Sequence, residues 1–237
     1  MKRCILPILL IWLSFAANGQ SSSGHTLLYG TQNPVLFPDT LKSFLVKKNP
    51  PFLFESNMMH EDRPLFNKIL RANNCVIGYN LIIGGTILLV PKEISQWDVN
   101  EFFTIPAMKQ QYKKTFTTPP VFDHDIFMVN YLGHTYQGSY YYNSMRSQGA
   151  TLLESSLFCL GQTLLWEYVW EGGMEQPSIQ DLITTPIGGI LLGELFHLAT
   201  IRMSRNGFEW YEIAATCIIN PSYAFNNRFR FNKRTRP

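Results

Sequence analysis

Polar and ionisable side chains recur within an apolar, aromatic-rich stretch that runs from residue 130 to residue 197. Those whose types could support chemistry are Asn130, His134, Tyr142, Arg146, Glu167, Glu171, Asp181, Glu194 and His197. Ionisable groups in apolar surroundings cost several kcal/mol unless they are paired or used in a site. We therefore expect any functional site to lie in this stretch, either as a ligand-binding site or as a structural polar cluster.

Four of these residues are candidates for catalysis. His134 could act as a general base or metal ligand, and Glu167 or Glu194 could be its carboxylate partner. Arg146 could clamp a phosphate group. Such a cluster would suit an envelope enzyme that acts on a lipid or a glycan. The same side chains could instead pair within a core and fix helix packing without chemistry, so the sequence does not decide whether the protein is an enzyme.

One pair of residues has half of a known metal-binding pattern. Glu194 precedes His197 by three positions, which is the Glu-x-x-His spacing of di-iron carboxylate bundles. That pattern needs a second copy and two further glutamates, and the other Glu and His residues of the chain lack the spacing. We therefore predict no metal and no cofactor. Glu194 is expected to pair with His197 or with Arg146.

Two glutamates, Glu167 and Glu171, lie one helical turn apart among Trp, Tyr and Leu residues. Carboxylates at this spacing repel each other unless a cation lies between them. Arg146 is the only Lys or Arg between Asp125 and Glu194. The sequence therefore predicts that Arg146 meets this glutamate pair across two neighbouring helices.

Three long segments with helical periodicity must position these side chains. They cover about residues 125–148, 151–171 and 179–203, and the turns between them are short. Short turns between long helices indicate antiparallel neighbours in a bundle. Ser178, followed by Asp181 three residues later, resembles a capping box at the start of the third helix.

Two of these helices show regular faces. At 100° per residue, one face of the first helix carries Asn130, His134, Gly138, Tyr141, Met145 and Gly149. The third helix carries a small residue or a histidine at every fourth position, namely Thr185, Gly189, Gly193 and His197. Spacing of this kind is typical of closely packed or membrane-associated helices.

The segment before this stretch also has helical features. A helix is predicted from residue 64 to residue 73, and an apolar run over residues 75–90 predicts a buried or membrane-dipping helix. Residues 97–114 form a further amphipathic pattern, which Thr117 to Pro120 end. The predicted fold class is therefore mostly α, an antiparallel, membrane-associated helical bundle over residues 61–225.

The N-terminus has the zones of a signal peptide over residues 1–19. Lys2 and Arg3 precede an apolar stretch, and small residues precede a cleavage point after Gly19. Cleavage would lower the formal net charge from +3 to +1, which gives no electrostatic reason to expect nucleic acid as a partner. Residues 20–60 are predicted to be an irregular linker, and residues 226–237 a basic tail.

Three cysteines follow the signal peptide: Cys75, Cys159 and Cys217. Their number is odd, no CxxC spacing occurs and each has apolar neighbours, so we predict free, buried thiols. The chain has no Asn-x-Ser/Thr sequon, which suits a bacterial envelope. We expect an exported protein that is periplasmic or associated with the outer membrane. The sequence makes no prediction of the oligomeric state.

The same polar motifs carry a resemblance to a known family. In chain order they include Asn130-Tyr-Leu-Gly-His134, Met145-Arg146-Ser147, Trp166-Glu167-Tyr168 and Gly193-Glu194. This arrangement resembles the bacterial family catalogued as domain of unknown function 3943, over about residues 95–225. The resemblance implies a secreted envelope protein and implies no particular activity. Our first hypothesis is a non-catalytic helical domain at the periplasmic face of the outer membrane, where it contacts lipid or an outer-membrane protein.

Overall fold

The computed structural model describes residues 63–91, 104–205 and 207–233, and these residues form helices without a β-sheet. The α-helices among them are α1 (Leu65–Ile87), α2 (Ile105–Thr117), α3 (His134–Arg146), α4 (Leu152–Leu165), α5 (Ile179–Arg205), α6 (Trp210–Ile219) and α7 (Pro221–Asn226). A π-helical turn, Met128–Gly133, leads into α3, and another, Trp166–Trp170, continues α4. The predicted helical bundle is confirmed.

Some predicted segments lie wholly or partly outside the described residues. The signal peptide over residues 1–19 and the linker over residues 20–60 are among them. Part of the predicted helix over residues 97–114 also lies outside, and the described part is the start of α2, which ends at Thr117 as expected. Of the basic tail, residues 226–233 are described.

Local sequence signals set where the central helices begin. Thr151 and Glu154 form a capping box at the start of α4, because Thr151 Oγ1 accepts from the Glu154 amide at 3.2 Å and Glu154 Oε2 accepts from the Thr151 amide at 2.7 Å. At the start of α5, Ser178 Oγ accepts a hydrogen bond from the Asp181 amide at 3.2 Å. The predicted capping role of Ser178 is therefore confirmed.

Helix α3 is enclosed by its neighbours. Every residue from Gln137 to Gln148 is buried. Gly138 lies against α5, whereas the Tyr141 hydroxyl donates to Asn80 Oδ1 of α1 at 2.8 Å. The prediction that Gly138 and Tyr141 serve one common face is therefore wrong, since an enclosed helix contacts a different neighbour on each side.

The interior around α3 is polar and hydrogen-bonded. Asn143 Nδ2 donates to the Gly193 carbonyl at 3.0 Å, and Gln148 Nε2 donates to the Lys68 carbonyl at 3.0 Å. Ser144 Oγ lies 3.2 Å from Ser222 Oγ. Side chains that pair with backbone carbonyls of neighbouring helices satisfy the polar groups that burial would otherwise leave without partners.

The three central helices run up, down and up. Helix α4 returns antiparallel to α3, with Cys159 Sγ of α4 donating to the Gly138 carbonyl at 3.3 Å. Helix α5 then runs parallel to α3, because Gly138 lies against Gly189 and Tyr142 lies against Gly193. Helices that follow each other in the chain are antiparallel, as predicted.

The closest approach in the bundle joins α3 and α5. A Cβ on Gly138 would collide with the Thr185 carbonyl, and a Cβ on Gly189 would collide with the Gly138 backbone. A Cβ on Gly193 would come within 2.7 Å of the Tyr142 ring. The predicted small-residue seam of α5 is therefore a close contact between the α3 and α5 backbones. Any side chain at these glycines would push the two helices apart.

Helix α1 joins two segments that the sequence separated. The predicted helices over residues 64–73 and 75–90 are one helix of 23 residues. Among residues 75–87 only Val76 and Asn80 are buried. The prediction was a buried or membrane-dipping helix; the first alternative is wrong, because only one side of α1 packs on α3, and the second stays a prediction.

The three cysteines Cys75, Cys159 and Cys217 are free thiols, as predicted. Cys159 is fully buried, but the prediction of burial is wrong for Cys75 and Cys217, which are partly exposed. Burial raises the pKa of the Cys75 thiol. Thiols of this kind pack as small apolar groups and have low reactivity.

Replacing Gly189 by alanine should destabilise the protein by about 1–3 kcal/mol, because α3 and α5 would have to move apart. Gly78→Ala on α1 is the matched control, since a Cβ there meets nothing within 4 Å. That control should stabilise the helix by about 0.5–1 kcal/mol. Thermal unfolding followed by circular dichroism compares the two variants, and equal effects would refute the seam.

Candidate functional site

The predicted site residues form two clusters, one at each end of α3. The acidic cluster comprises Asn130, His134, Glu167, Asp181 and the adjacent Glu171, together with Asp123, Asp125, Ser178 and Thr185. The ion-pair cluster comprises Tyr142, Arg146, Glu194 and His197. His134 and Arg146 are twelve residues apart on α3, a distance of about 18 Å along a helix. The single predicted cluster is therefore two separate sites.

Two π-helical turns shape the acidic cluster. One contains Asn130 and is followed directly by His134, and the other contains Glu167. In the turn that contains Glu167, the Glu171 amide donates to the Trp166 carbonyl, five residues earlier, at 2.9 Å. Such turns insert an extra residue, change the direction of the side chains and are frequent at functional sites. Asp181 enters from the first turn of α5.

Three buried side chains meet at the centre of the acidic cluster. His134 Nε2 lies 3.7 Å from Asp181 Oδ1, and His134 Nδ1 is hydrogen-bonded to Thr185 Oγ1 at 3.1 Å. Glu167 Oε2 accepts from the Ser178 amide at 3.0 Å. One ring nitrogen of His134, one carboxylate oxygen of Glu167 and one of Asp181 lie within 4.8 Å of one another.

Several oxygens of this cluster have no hydrogen-bond partner among the described residues. They are Glu167 Oε1, Asp181 Oδ1, Asn130 Oδ1 and Asp125 Oδ1. Glu167 is 1% exposed and Asp181 is 3% exposed, so solvent does not satisfy these oxygens. A buried acceptor without a partner costs about 1–3 kcal/mol, and more when it is charged. Among the described residues, no Lys or Arg side chain is hydrogen-bonded to these oxygens.

The carboxyls at the edge of the cluster perturb one another. Burial and the neighbouring Asp123 raise the pKa of Asp125 to about 6. Burial, together with the carboxyls of Glu167 and Glu175, raises the pKa of Glu171 well above its usual range. Burial also acts to raise the pKa of Asp123, but hydrogen bonds from Ser178 and Asn130 outweigh it and hold that pKa below its usual range.

In the ion-pair cluster, Arg146 and Glu194 neutralise each other. Arg146, which is 1% exposed, donates from Nε to Glu194 Oε2 at 2.9 Å and from Nη2 to Glu194 Oε1 at 3.1 Å. Its Nη1 donates to the Ala150 carbonyl at 3.0 Å, and the Tyr142 hydroxyl donates to Glu194. Two-point pairing of guanidinium and carboxylate is the strongest form of this interaction. Because all three Arg146 nitrogens are engaged, the cluster is a structural ion pair.

The predicted meeting of Arg146 with Glu167 and Glu171 is wrong. Arg146 ends α3, and the short turn after it places it near the start of α4. Glu167 follows the end of α4 and therefore lies beside the first residue of α3, His134, at the far end of the antiparallel pair. The alternative partner named from the sequence, Glu194, is confirmed.

Four residues of the acidic cluster were not predicted from the sequence as site residues: Asp123, Asp125, Ser178 and Thr185. A short parallel bridge pairs Val121 with Ser178, because the Val121 amide donates to the Pro177 carbonyl at 3.0 Å and the Ile179 amide to the Val121 carbonyl at 2.8 Å. This bridge fixes the loop before α3 against the start of α5. Asp123 and Asp125, two positions apart and soon after Pro119 and Pro120, were the available signal.

Fold and site together define an all-helical bundle with a polar interior and an acidic cluster at one end of its central helix. Residues 119–222 match the model of a protein family described as a domain of unknown function (DUF3943), which supports the resemblance carried by the sequence motifs. The matched segment contains both clusters. No curated protein and no solved structure matches the chain.

Replacing Arg146 by alanine should cost about 3–5 kcal/mol of unfolding free energy, because the partly buried Glu194 would lose its counter-charge and the fully buried Arg146 side chain would leave a gap. The double variant Arg146→Met with Glu194→Gln removes both charges and keeps an acceptor for the Tyr142 hydroxyl. It should recover most of that loss. Chemical denaturation of the single and double variants measures the difference. Losses that simply add in the double variant would contradict the pairing.

Proposed function

We propose that this chain is an exported protein of the bacterial cell envelope whose helical domain is embedded in membrane lipid and has a structural, non-catalytic role. The observation that carries the proposal is the outer surface of the bundle. Its exposed side chains are apolar on helix after helix, while the interior is polar. This distribution is the reverse of that in water-soluble proteins, where apolar side chains are mostly buried and polar ones mostly exposed.

The outer faces of α4, and of α5 up to residue 201, carry only aliphatic side chains. On α5 the exposed residues between 179 and 201 are Ile183, Ile187, Leu191 and Leu195. On α4 and its π-helical turn they are Leu153, Leu157, Leu160, Leu164 and Val169. An exposed helix face in water normally carries charged and polar residues. These faces therefore favour contact with lipid.

Helix α1 also lacks exposed charge. Its exposed positions are Phe66, Asn67, Leu70, Asn74, Ile77, Gly78, Leu81, Ile82, Gly85 and Thr86. Its two basic residues pack inward, since Lys68 Nζ donates to the Gly149 carbonyl at 3.1 Å and Arg71 Nε donates to Asn226 Oδ1 at 2.9 Å. Among the described helices, α5 is the one that is long and apolar enough to cross a membrane by length and composition.

Basic side chains lie at both ends of this apolar surface. At the end with the acidic cluster, α2 carries the exposed residues Lys109, Lys113 and Lys114, and its Thr115 hydroxyl donates to the Gly172 carbonyl at 2.7 Å. At the other end the exposed basic residues are Arg202, Arg205, Arg228, Arg230 and Lys233. Basic groups on either side of an apolar belt match the headgroup layers of a bilayer.

The dimensions and the aromatic residues support the same placement. Leu153 and Val169 are sixteen positions apart, which is about 24 Å of helix, against about 30 Å for the hydrocarbon core of a bilayer. Trp210 and Tyr211, which follow the end of α5, are both exposed. Exposed Trp and Tyr beside basic residues are typical of membrane interfaces. A single protein partner would cover one side only, whereas the apolar residues extend over several helices.

An alternative function is an envelope enzyme that acts on lipid or glycan. The observation that favours it is the set of unpartnered oxygens in the acidic cluster, with His134 beside Asp181. Arg146 would not serve that enzyme, because Glu194 and the Ala150 carbonyl engage it. Loss of an envelope function in variants that remain fully folded would support this alternative.

Replacing Leu191 by glutamate tests the lipid-embedded domain. Leu191 is 70% exposed on the outer face of α5. In lipid, an acid near the middle of a helix costs about 2.5–3.5 kcal/mol, so the variant should be lost from the membrane fraction or degraded. In water, the same exposed substitution would change stability by about 0.5 kcal/mol or less. Carbonate extraction and flotation with phospholipid vesicles measure the difference.

Gln110→Glu on the exposed face of α2 is the matched control, because it adds the same charge outside the apolar surface. It should float with vesicles like the original protein. A chain that is soluble without detergent, or a Leu191→Glu variant that partitions normally, would contradict the proposal. A soluble dimer with its apolar faces buried between copies would contradict it as well, and light scattering would detect one.

A further inference from the structure

We propose that His134, Glu167 and Asp181 form a binding site for a divalent transition-metal ion. Each of the three residues comes from a different helical segment, and each is buried. Together they supply one imidazole nitrogen and two carboxylate oxygens. This site does not depend on the proposed contact with lipid.

The spacing of the ligand atoms fits a metal ion better than it fits direct pairing. His134 Nε2 and Asp181 Oδ1 are 3.7 Å apart, which is too long for a hydrogen bond. Two ligands that each lie about 2.0–2.1 Å from a tetrahedral ion are about 3.3 Å apart. A small inward movement of these side chains would therefore place an ion between them.

In these side chains, one atom is fixed by a hydrogen bond and a second atom faces the centre of the cluster, where it could bind a metal ion. His134 Nδ1 is hydrogen-bonded to Thr185 Oγ1, which directs Nε2 into the cluster. Glu167 Oε2 accepts from the Ser178 amide, while Glu167 Oε1 has no hydrogen-bond partner in the part of the chain that the structure describes. Outer hydrogen bonds that fix the ring and the carboxylate are characteristic of metal ligands. The unpartnered oxygens of Glu167 and Asp181 are the ones that a cation would satisfy.

The ligand types select the kind of ion. Magnesium and calcium prefer sites made of oxygen alone, so the imidazole disfavours them. The absence of a thiolate from the three ligands disfavours copper(I). Zinc, manganese(II) and iron(II) accept a histidine with carboxylates. The half motif Glu194-x-x-His197 does not compete, because Glu194 is paired with Arg146.

Zinc titration of the metal-free protein tests the site. The whole mature chain is purified in detergent, treated with a chelator and titrated with Zn²⁺ by calorimetry, and with Co²⁺ by visible absorption. We expect one ion per chain and a nitrogen- and oxygen-ligand spectrum with Co²⁺. His134→Gln should weaken binding by about 100-fold or more, since loss of an outer partner alone weakens metal affinity by 10–100-fold. His197→Gln, the buried histidine of the other cluster, should bind like the original protein.

Glu167→Gln gives a second readout that does not depend on affinity. Without metal, this variant should be as stable as the original protein or more stable, because it removes one of several mutually repelling carboxyls. With Zn²⁺ at about 100 times the dissociation constant, the original protein should melt roughly 5–10 °C higher. Glu167→Gln should lose that increase.

Three results would overturn the site. One is the absence of stoichiometric Zn²⁺ binding to the folded, chelator-treated protein. Another is unchanged affinity in His134→Gln. The third is equal loss of affinity in His197→Gln, which would place the ion in the other cluster. Circular dichroism of each variant separates lost binding from lost folding. Because the measurements are made in detergent, failure of this site leaves the lipid proposal unaffected, and the converse also holds.

Discussion

The backbone contact between Gly138 and Gly189 is the constraint on which the rest of the bundle depends. It brings α3 and α5 so close that the Thr185 carbonyl lies where a Cβ of Gly138 would be. The same approach sets Thr185 beside His134 at one end and Glu194 beside Arg146 at the other. Both clusters therefore depend on two residues that carry no side chain.

A polar interior follows from this close packing. Parallel helices in backbone contact leave little room for large apolar side chains, and the space around α3 is filled by Tyr, Ser, Asn and Gln residues that bond to neighbouring carbonyls. With the polar groups turned inward, the apolar ones occupy the outside. In lipid this arrangement is stable, because small residues and internal hydrogen bonds hold helices together where the hydrophobic effect cannot.

Features that repeat along the sequence were predicted, whereas contacts between side chains of different helices were not. The three long helices, the capping serine Ser178 and the small-residue seam follow from local patterns and were predicted correctly. The predicted partner of Arg146 was wrong, because spacing along one helix does not show which end of a neighbouring helix a side chain meets. The short turn at residues 147–151 does show it, since it places Arg146 beside the start of α4. The π-helical turns were not predicted either, since a helical wheel at 100° per residue assumes a regular α-helix across Asn130 and Glu167.

The two clusters differ in one respect that bears on function. In the ion-pair cluster the partly buried carboxylate of Glu194 is matched by the buried guanidinium of Arg146 with two-point geometry, so these two charges neutralise each other within the chain. In the acidic cluster the carboxylates of Glu167 and Asp181 face a histidine that is held by Thr185, and each has an oxygen without a hydrogen-bond partner within residues 63–91, 104–205 and 207–233. Folding alone does not require such an arrangement, because apolar residues would fill the space at lower cost. An unbalanced cluster beside a balanced one, within the same matched domain, is therefore the part of the molecule that is best explained by a ligand from outside the chain.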